Sequence, residues 1–505
     1  MKKFASVLLV LVLVFALCTT AMADTDTPAT PTAHSYTAYK IFAGTQGANS
    51  AQLAQVTWGG GVDSSFLTAL QADTTVGSTF TGLTTAAQVA NAMAGWSDGS
   101  ADALAFARVA YAHKTGSGVA VVNGQTELDP GYYLIVDSTE FQTGETDTYR
   151  GLALLQLTGK GTFAIAPKTD IPTVVKKVKD IDDSTQTEMT GWQDSADYDI
   201  GDTIPFQITA TISADTNIAA YKVYKLVFHD TGCAGLKIDD ESFVVTIDDG
   251  DALTAVEHYT LAVSGDNFTL TIPDVKALGA KDGSKVTVYY EAELDTDAQI
   301  GAAGNPNTVY LQYSNDANWT GTGDNSPLGE TPKDKVVVFT YQVTVNKVDK
   351  EGNALNGAGF TLYKWDASAE GDDKWVAVGE ELTGTEMHEF VWNGVDDGQY
   401  KLVETTVPDG YNKMDDLVFV VSAEHDITSA NPALTELYGG NLQTGEYQNV
   451  NRAESGNILA NVVNYAGGLL PETGGIGTTI FYVAGAVLLI GATVLLITKK
   501  RMENN

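Results

Sequence analysis

Cysteine is nearly missing from this chain: two in 505 residues, Cys18 and Cys233. Cys18 lies in an apolar N-terminal leader, so the exported chain keeps one thiol and forms no internal disulfide. The surroundings of Cys233, Thr231-Gly232-Cys233-Ala234-Gly235, hold no His or partner Gln in a recognisable pattern, so it reads as a half-buried small residue. Positive charge is scarce too: 29 Lys and Arg stand against 64 Asp and Glu, for a formal net charge of −35. So acidic a surface repels nucleic acid and anionic lipid, which argues against both as partners. The acidity reads as a solvated exterior, because no Asp/Asn-rich loop has calcium-binding spacing. No metal site and no cofactor is expected. Six scattered histidines and no nucleophile-elbow serine leave little for a hydrolase.

Long apolar runs occur only at the two ends. Met1-Lys2-Lys3 precedes a mostly apolar stretch from Phe4 to Cys18, and Ala21-Met22-Ala23 is a small-x-small cleavage site. Residues 1–23 therefore read as a signal peptide, with Asp24 near the mature N-terminus. Leu17 is too large before Cys18 for a lipoprotein signal. At the other end, 478–498 is a run of 21 uncharged residues, long enough to span a bilayer as a helix. Lys499-Lys500-Arg501 open the short tail 499–505 and mark its cytoplasmic side. Just before the span stands Leu470-Pro471-Glu472-Thr473-Gly474. Pentapeptide, span and basic tail in this order resemble the LPxTG cell-wall sorting signal of Gram-positive surface proteins. The resemblance implies that a sortase cuts between Thr473 and Gly474, holds Thr473 as a thioester and passes it to an amine.

Between the ends, alternating Val-, Tyr-, Thr- and Ile-rich segments are separated by Gly, Asp and Asn, which predicts a mainly β chain. Strands are expected at Ile204–Ile212, Tyr221–Phe228, Lys285–Leu294, Thr308–Tyr313, Val336–Val348, Gly359–Lys364 and Gln399–Glu404. The spacing suggests immunoglobulin-like β-sandwiches in tandem. The first part differs. Val89, Met93, Leu104, Phe106, Val109 and Ala110 recur at helical spacing within Thr85–His113, so one or two helices join strands such as Ser35–Phe42 and Gly131–Val136. Prolines in polar stretches then divide the chain into a mixed α/β N-terminal domain (30–168), a central sandwich (169–325) and a C-terminal sandwich (333–467).

Tyr400-Lys401-Leu402-Val403-Glu404-Thr405-Thr406-Val407-Pro408-Asp409-Gly410-Tyr411 resembles the E-box, YxLxETxxPxGY, of Gram-positive pilins with CnaB-type domains. Tyr400, Leu402 and Glu404 share one strand face, and two of the three are core-forming, so Glu404 is expected to point inward. Asn464, in Val463-Asn464-Tyr465, lies where that family places its bond-forming asparagine, and Lys347 is the matching lysine. A carboxyl buried on such a face keeps its proton and a buried lysine loses its own, which makes the amine a nucleophile. The resemblance implies a Lys347–Asn464 isopeptide bond promoted by Glu404, a covalent brace in a chain without disulfides. In the central domain Asp230, within Val227-Phe228-His229-Asp230-Thr231, resembles the acid of the central domain in major pilins. Lys177, aligned with Lys347 by the shared Lys-Val pair, is the expected nucleophile. Asn307 is its preferred partner and Asn315 the alternative. His229 and Asp230 are strand neighbours facing opposite ways, which argues against a dyad.

Thr162-Phe163-Ala164-Ile165-Ala166-Pro167-Lys168 resembles the pilin motif ending in VYPK, with Ile165 for Val and Ala166 for Tyr. The resemblance implies that Lys168 is the acceptor lysine joined to Thr473 of the next subunit. Tyr36–Phe42 and Tyr198–Phe206 also resemble segments of major pilins, so the resemblance spans most of the chain. It implies a structural shaft subunit, not an enzyme, of a cell-wall-anchored fimbria that supports adhesion. Its partners would be a pilin-specific sortase, a housekeeping sortase, identical subunits, peptidoglycan, and accessory tip or basal pilins and host ligands. The rival is a monomeric, tip or basal LPXTG-anchored adhesin, for which an acceptor lysine has no use.

Overall fold

A computed structural model describes residues 34–466, apart from 48–51, 98–99, 140–150, 166–170, 183–186, 189–190, 215, 320–325, 370–372, 441–446 and 449–450. The signal peptide and the span 478–498 lie outside the described residues. No helix among the described residues is long and apolar enough to cross a membrane. The fold is mainly β, and among the described residues the α-helices, all short, lie in the first part.

The first part is a mixed unit. Strand Tyr36–Gln46 pairs with Leu53–Trp58, Val119–Val121 and Gly131–Asp137, and the last of these pairs with Leu152–Leu157. Helix Ala86–Ala92 begins in a capping box between Thr85 and Gln88, and Ala101–Ala112 is capped by Ser100. Both fall where helical spacing predicts. Helices Phe66–Ala72 and Gly77–Phe80 were not anticipated; each is short and has no side-chain N-cap bond. Phe42, Phe66, Phe80, Phe106 and Leu134 close one core between helices and sheet.

Two sheets form the central sandwich. One orders Leu236–Ile247, Lys285–Leu294, Thr203–Thr211 and Thr173–Val178. The other runs Thr260–Ser264, Asn267–Ile272, Leu226–Gly232, Asn305–Ser314, Asp334–Phe339 and Ser195–Asp197, with Leu328–Glu330 added on Asn305–Ser314. Inward residues of both sheets, Phe206, Ile208, Phe228, Leu270, Val288 and Leu311 among them, make a single core. The sequence reading ends this unit at residue 325. The sheet instead continues through Asp334–Phe339, because Val336 and Val338 are buried in the same core. The expected strand Val336–Val348 is therefore two, Asp334–Phe339 and Tyr341–Val348, which serve different sheets. The expected strand Tyr221–Phe228 starts only at Leu226, since Tyr221 and Tyr224 pack edge to face in a buried turn.

In the C-terminal sandwich a three-stranded sheet, Glu389–Val395, Tyr341–Val348 and Asn457–Val463, faces a larger one built on Gly359–Trp365, Gly398–Thr406, Leu417–His425 and Leu434–Gly440. The first and last strands are parallel neighbours, with Lys347 opposite Val462. Side chains tie the units together. Arg108 reaches the carbonyls of Ala219 and Ala220. Lys364 bonds Asp199 at 2.6 Å, and Tyr341 donates to Asp197 at 2.8 Å.

Candidate functional site: two buried lysine–carboxyl–asparagine clusters

The E-box strand Gly398–Thr406 alternates as expected: Tyr400, Leu402 and Glu404 are fully buried, and Lys401 and Val403 less so. Glu404 enters the core from one sheet. Lys347 and Asn464 enter from the other, Asn464 just past the end of the last strand. The three meet. Lys347 Nζ donates to Asn464 Oδ1 at 2.5 Å, Asn464 Nδ2 donates to Glu404 Oε1 at 2.7 Å, and Lys347 Nζ lies 3.4 Å from the same carboxylate oxygen. Glu404 Oε2 accepts the Met414 amide at 2.8 Å, which fixes the carboxyl plane. The Lys347 and Glu404 side chains are shut off from solvent. Burial lowers the Lys347 pKa, and the Glu404 charge only partly offsets it. Phe360 packs beside the ammonium site, its ring centre 5.5 Å from Nζ.

The central cluster differs from the expectation in its lysine. Strand Thr173–Val178 turns Val174, Lys176 and Val178 inward, so Lys177 faces the other way and pairs with Asp194. Lys176 is the buried one. It bonds the Asp230 carboxylate, and its Nζ also lies 2.5 Å from the Tyr290 hydroxyl. Alignment on the Lys-Val pair chose the other parity; valine and lysine stand at both parities here, and pairing with Thr203–Thr211 turns Lys176 inward. Asn307 is fully buried, and its Nδ2 donates to the Tyr290 hydroxyl at 2.8 Å. Asn315 lies at the far end of Asn305–Ser314, where its backbone amide bonds the Pro327 carbonyl. Asn305, also buried, is held by Gln299 and the Val338 carbonyl. Asn307 is thus the asparagine that shares a partner, the Tyr290 hydroxyl, with Lys176.

Burial lowers the Lys176 pKa against the pull of Asp230. Burial likewise raises Asp230, against the pull of Lys176, Tyr290 and Asn307. Both shifts favour a neutral amine beside a protonated acid, the state a nucleophilic lysine needs. His229 faces away from this cluster, stacked on Tyr310 with ring centres 4.6 Å apart and bonded to Gln312. Cys233 is half-buried, and burial pushes its thiol up to about 11. Lys168, Leu470, Pro471, Glu472, Thr473, Gly474, Ala21 and Ala23 lie outside the described residues.

Two family models match the chain. One is a prealbumin-like fold domain over residues 341–432, the other the LPXTG cell wall anchor motif over 463–504. A curated relative, the trypsin-resistant surface T6 protein of Streptococcus pyogenes serotype M6, is 23% identical over 401 residues, covering 66% of this chain and 70% of its own. Among solved structures, the T6 backbone pilin of serotype M6 Streptococcus pyogenes is 18% identical, covering 86% of this chain and 96% of its own, with a TM-score of 0.49. The full-length major pilin SpaD of Corynebacterium diphtheriae is 16% identical over 90% of this chain and 95% of its own, at 0.44. The prealbumin-like match holds Lys347 and Glu404, and Asn464 falls at the start of the anchor match. The two matches give the chain a prealbumin-like domain and a C-terminal LPXTG cell wall anchor motif, and the curated relative is itself a surface protein.

Proposed function

We propose that the chain is the shaft subunit of a covalent pilus, joined from Thr473 of one copy to Lys168 of the next by a pilin-specific sortase. Two intramolecular isopeptide bonds, Lys347–Asn464 and Lys176–Asn307, brace each copy. The observation that carries this reading is the enclosed Lys347–Glu404–Asn464 cluster in a chain ending in the anchor motif. A buried lysine contacting an amide and a carboxyl at once is a reactant set more than an ion pair.

In each cluster the neutral amine attacks Cγ of the asparagine. The Nζ–Cγ bond forms, the Cγ–Nδ2 bond breaks, and one proton passes from Nζ to the departing nitrogen, which leaves as ammonia. In the C-terminal cluster Glu404 carries that proton and polarises the amide, and Asp230 is the promoting acid of the central one. The chemistry happens once per molecule, so the chain is a sortase substrate and a structural part. Lys168 would be exposed and protonated, so the sortase must supply its deprotonation and positioning.

Wall proteins extracted from the native host, boiled in detergent and blotted, test the shaft role. A high-mass ladder that vanishes in Lys168→Ala is expected. A ladder that survives moves the acceptor to another lysine. A single monomer-sized, wall-linked band in the wild type refutes the shaft role and favours the anchored adhesin.

A further inference from the structure

The two clusters are not built alike. In the C-terminal one the asparagine amide donates straight to the carboxylate, and the lysine sits on the amide oxygen. In the central one a phenol stands among the reactants. The Tyr290 oxygen accepts from Lys176 Nζ at 2.5 Å and from Asn307 Nδ2 at 2.8 Å, and its proton points to Asp230 Oδ1 at 3.3 Å. Two accepted bonds and one donated bond use the hydroxyl's full capacity. The side chain is 1% exposed. Its ring stacks between Phe206 and Phe243, each 5.2 Å away, with Phe268 edge-on at 5.0 Å. Three aromatic neighbours leave the hydroxyl little freedom of position. The acid also differs: aspartate is one methylene, about 1.5 Å, shorter than glutamate.

We infer that Tyr290 is a catalytic residue of the central bond, relaying the proton between the attacking and the leaving nitrogen. This rests on the Lys176–Asn307 reading above. Before reaction Nδ2 is conjugated to its carbonyl and can only donate. Once Nζ has bonded to Cγ, the tetrahedral carbon frees the Nδ2 lone pair, and that nitrogen becomes an acceptor. The Tyr290 hydroxyl then gives its proton to Nδ2 and takes one from Nζ, while Asp230 holds the phenol in line. Nζ–Cγ forms, Cγ–Nδ2 breaks, ammonia departs, and the phenol ends as it began. No oxidant, metal or second molecule is required. Burial raises the phenol's pKa well above the ordinary tyrosine value, so it stays protonated and works as a relay.

The test is Tyr290→Phe in the full chain, which keeps the ring stack and deletes only the hydroxyl. Wild type and variant are freshly expressed, sampled over hours, digested and read by mass for joined or separate Lys176 and Asn307 peptides. Formation of the bond in the variant is expected to be about 100-fold slower, the scale of a lost proton-transfer group. The Lys347–Asn464 cross-link in the same digest and an unchanged circular dichroism spectrum report that the variant has folded. A Lys176–Asn307 cross-link as complete in the variant as in the wild type at the first time point overturns the role of Tyr290 alone. A wild type that carries the C-terminal cross-link but never the central one overturns the central bond, and the relay with it.

Discussion

Replacing Asn464 with alanine removes the carbonyl that Lys347 would attack. It leaves Lys347 beside Glu404 at 3.4 Å, so no buried charge loses its partner. The loss is then mainly that of ring closure. Lys347 and Asn464 are 117 positions apart. Treating the isopeptide like any cross-link, loop-closure entropy for that length is worth about 4.9 kcal/mol. The hydrogen bond from the amide to Glu404 adds about 1 kcal/mol. For a domain of this size each kcal/mol moves the midpoint by a few degrees, so the C-terminal transition should fall by about 20 °C. Calorimetry on the full chain resolves it as its own transition if the sandwiches melt separately. Intact mass is the companion measurement. The wild type should weigh about 17 Da less than its sequence for each ammonia lost, and the variant should show one such deficit fewer. A wild type with no deficit refutes the bond. A variant that loses the deficit while its midpoint moves less than about 5 °C refutes the ring-closure account of what the bond does.

The central cluster makes a sharp distinction between adjacent lysines. Lys176→Ala should abolish its mass deficit, and Lys177→Ala, which breaks only the partly exposed pair with Asp194, should leave it intact; the reverse pattern would return the nucleophile to Lys177. The Cys233 thiol, raised to about 11, is about 0.1% thiolate at pH 8, against about a quarter for an ordinary thiol. Alkylation should therefore be about 200-fold slower than for a free cysteine and climb about tenfold per pH unit towards pH 10. Labelling at pH 8 as fast as in the denatured chain would contradict that environment.

What was legible in the sequence follows how strongly one face of each strand is marked. In the E-box strand the less buried positions hold Lys401 and Val403 and the fully buried ones Tyr400 and Leu402, so the inward aim of Glu404 follows from alternation alone. Thr173–Val178 has no such contrast. Valine and lysine stand at both parities, in Val174-Val175-Lys176-Lys177-Val178, and only pairing with Thr203–Thr211 decides which lysine is buried. Tyr290 obeys the same rule as Glu404: Val286, Val288, Tyr290, Ala292 and Leu294 share one parity of their strand, with Lys285, Glu291 and Glu293 on the other, so its inward aim was legible and only its role was not. The boundary near 325–333 was misjudged for a related reason. Prolines and polar residues mark a turn, but they do not tell whether the chain leaves the sheet or returns to it. The buried Val336 and Val338 show that it returns.

The positions of the two proposed bonds matter more than their number. Tension in a shaft joined at Lys168 and Thr473 enters the central sandwich at its first strand and leaves the C-terminal one past its last. Lys176 lies in that first strand, three residues beyond its start at Thr173, and Asn464 lies one residue past the end of Asn457–Val463. With both bonds closed, the taut path runs from Thr173 to Lys176, crosses to Asn307, continues to Lys347 and crosses to Asn464. Residues 177–306 and 348–463 lie outside it and feel no pull. What remains under load is mostly short strand: the 307–314 part of Asn305–Ser314 and Asp334–Phe339, zipped side by side in one sheet, then Tyr341–Lys347. In the C-terminal sandwich the first and last strands are parallel, so pulling on opposite ends would shear their whole ladder at once. The proposed Lys347–Asn464 bond sits where the rearward force would arrive and would take it before the ladder does. Hydrogen bonds worth about 1 kcal/mol each are thereby relieved by an amide bond that tension of this kind does not break. The two proposed bonds would give an acidic, nearly cysteine-free chain the covalent closure that disulfides supply elsewhere.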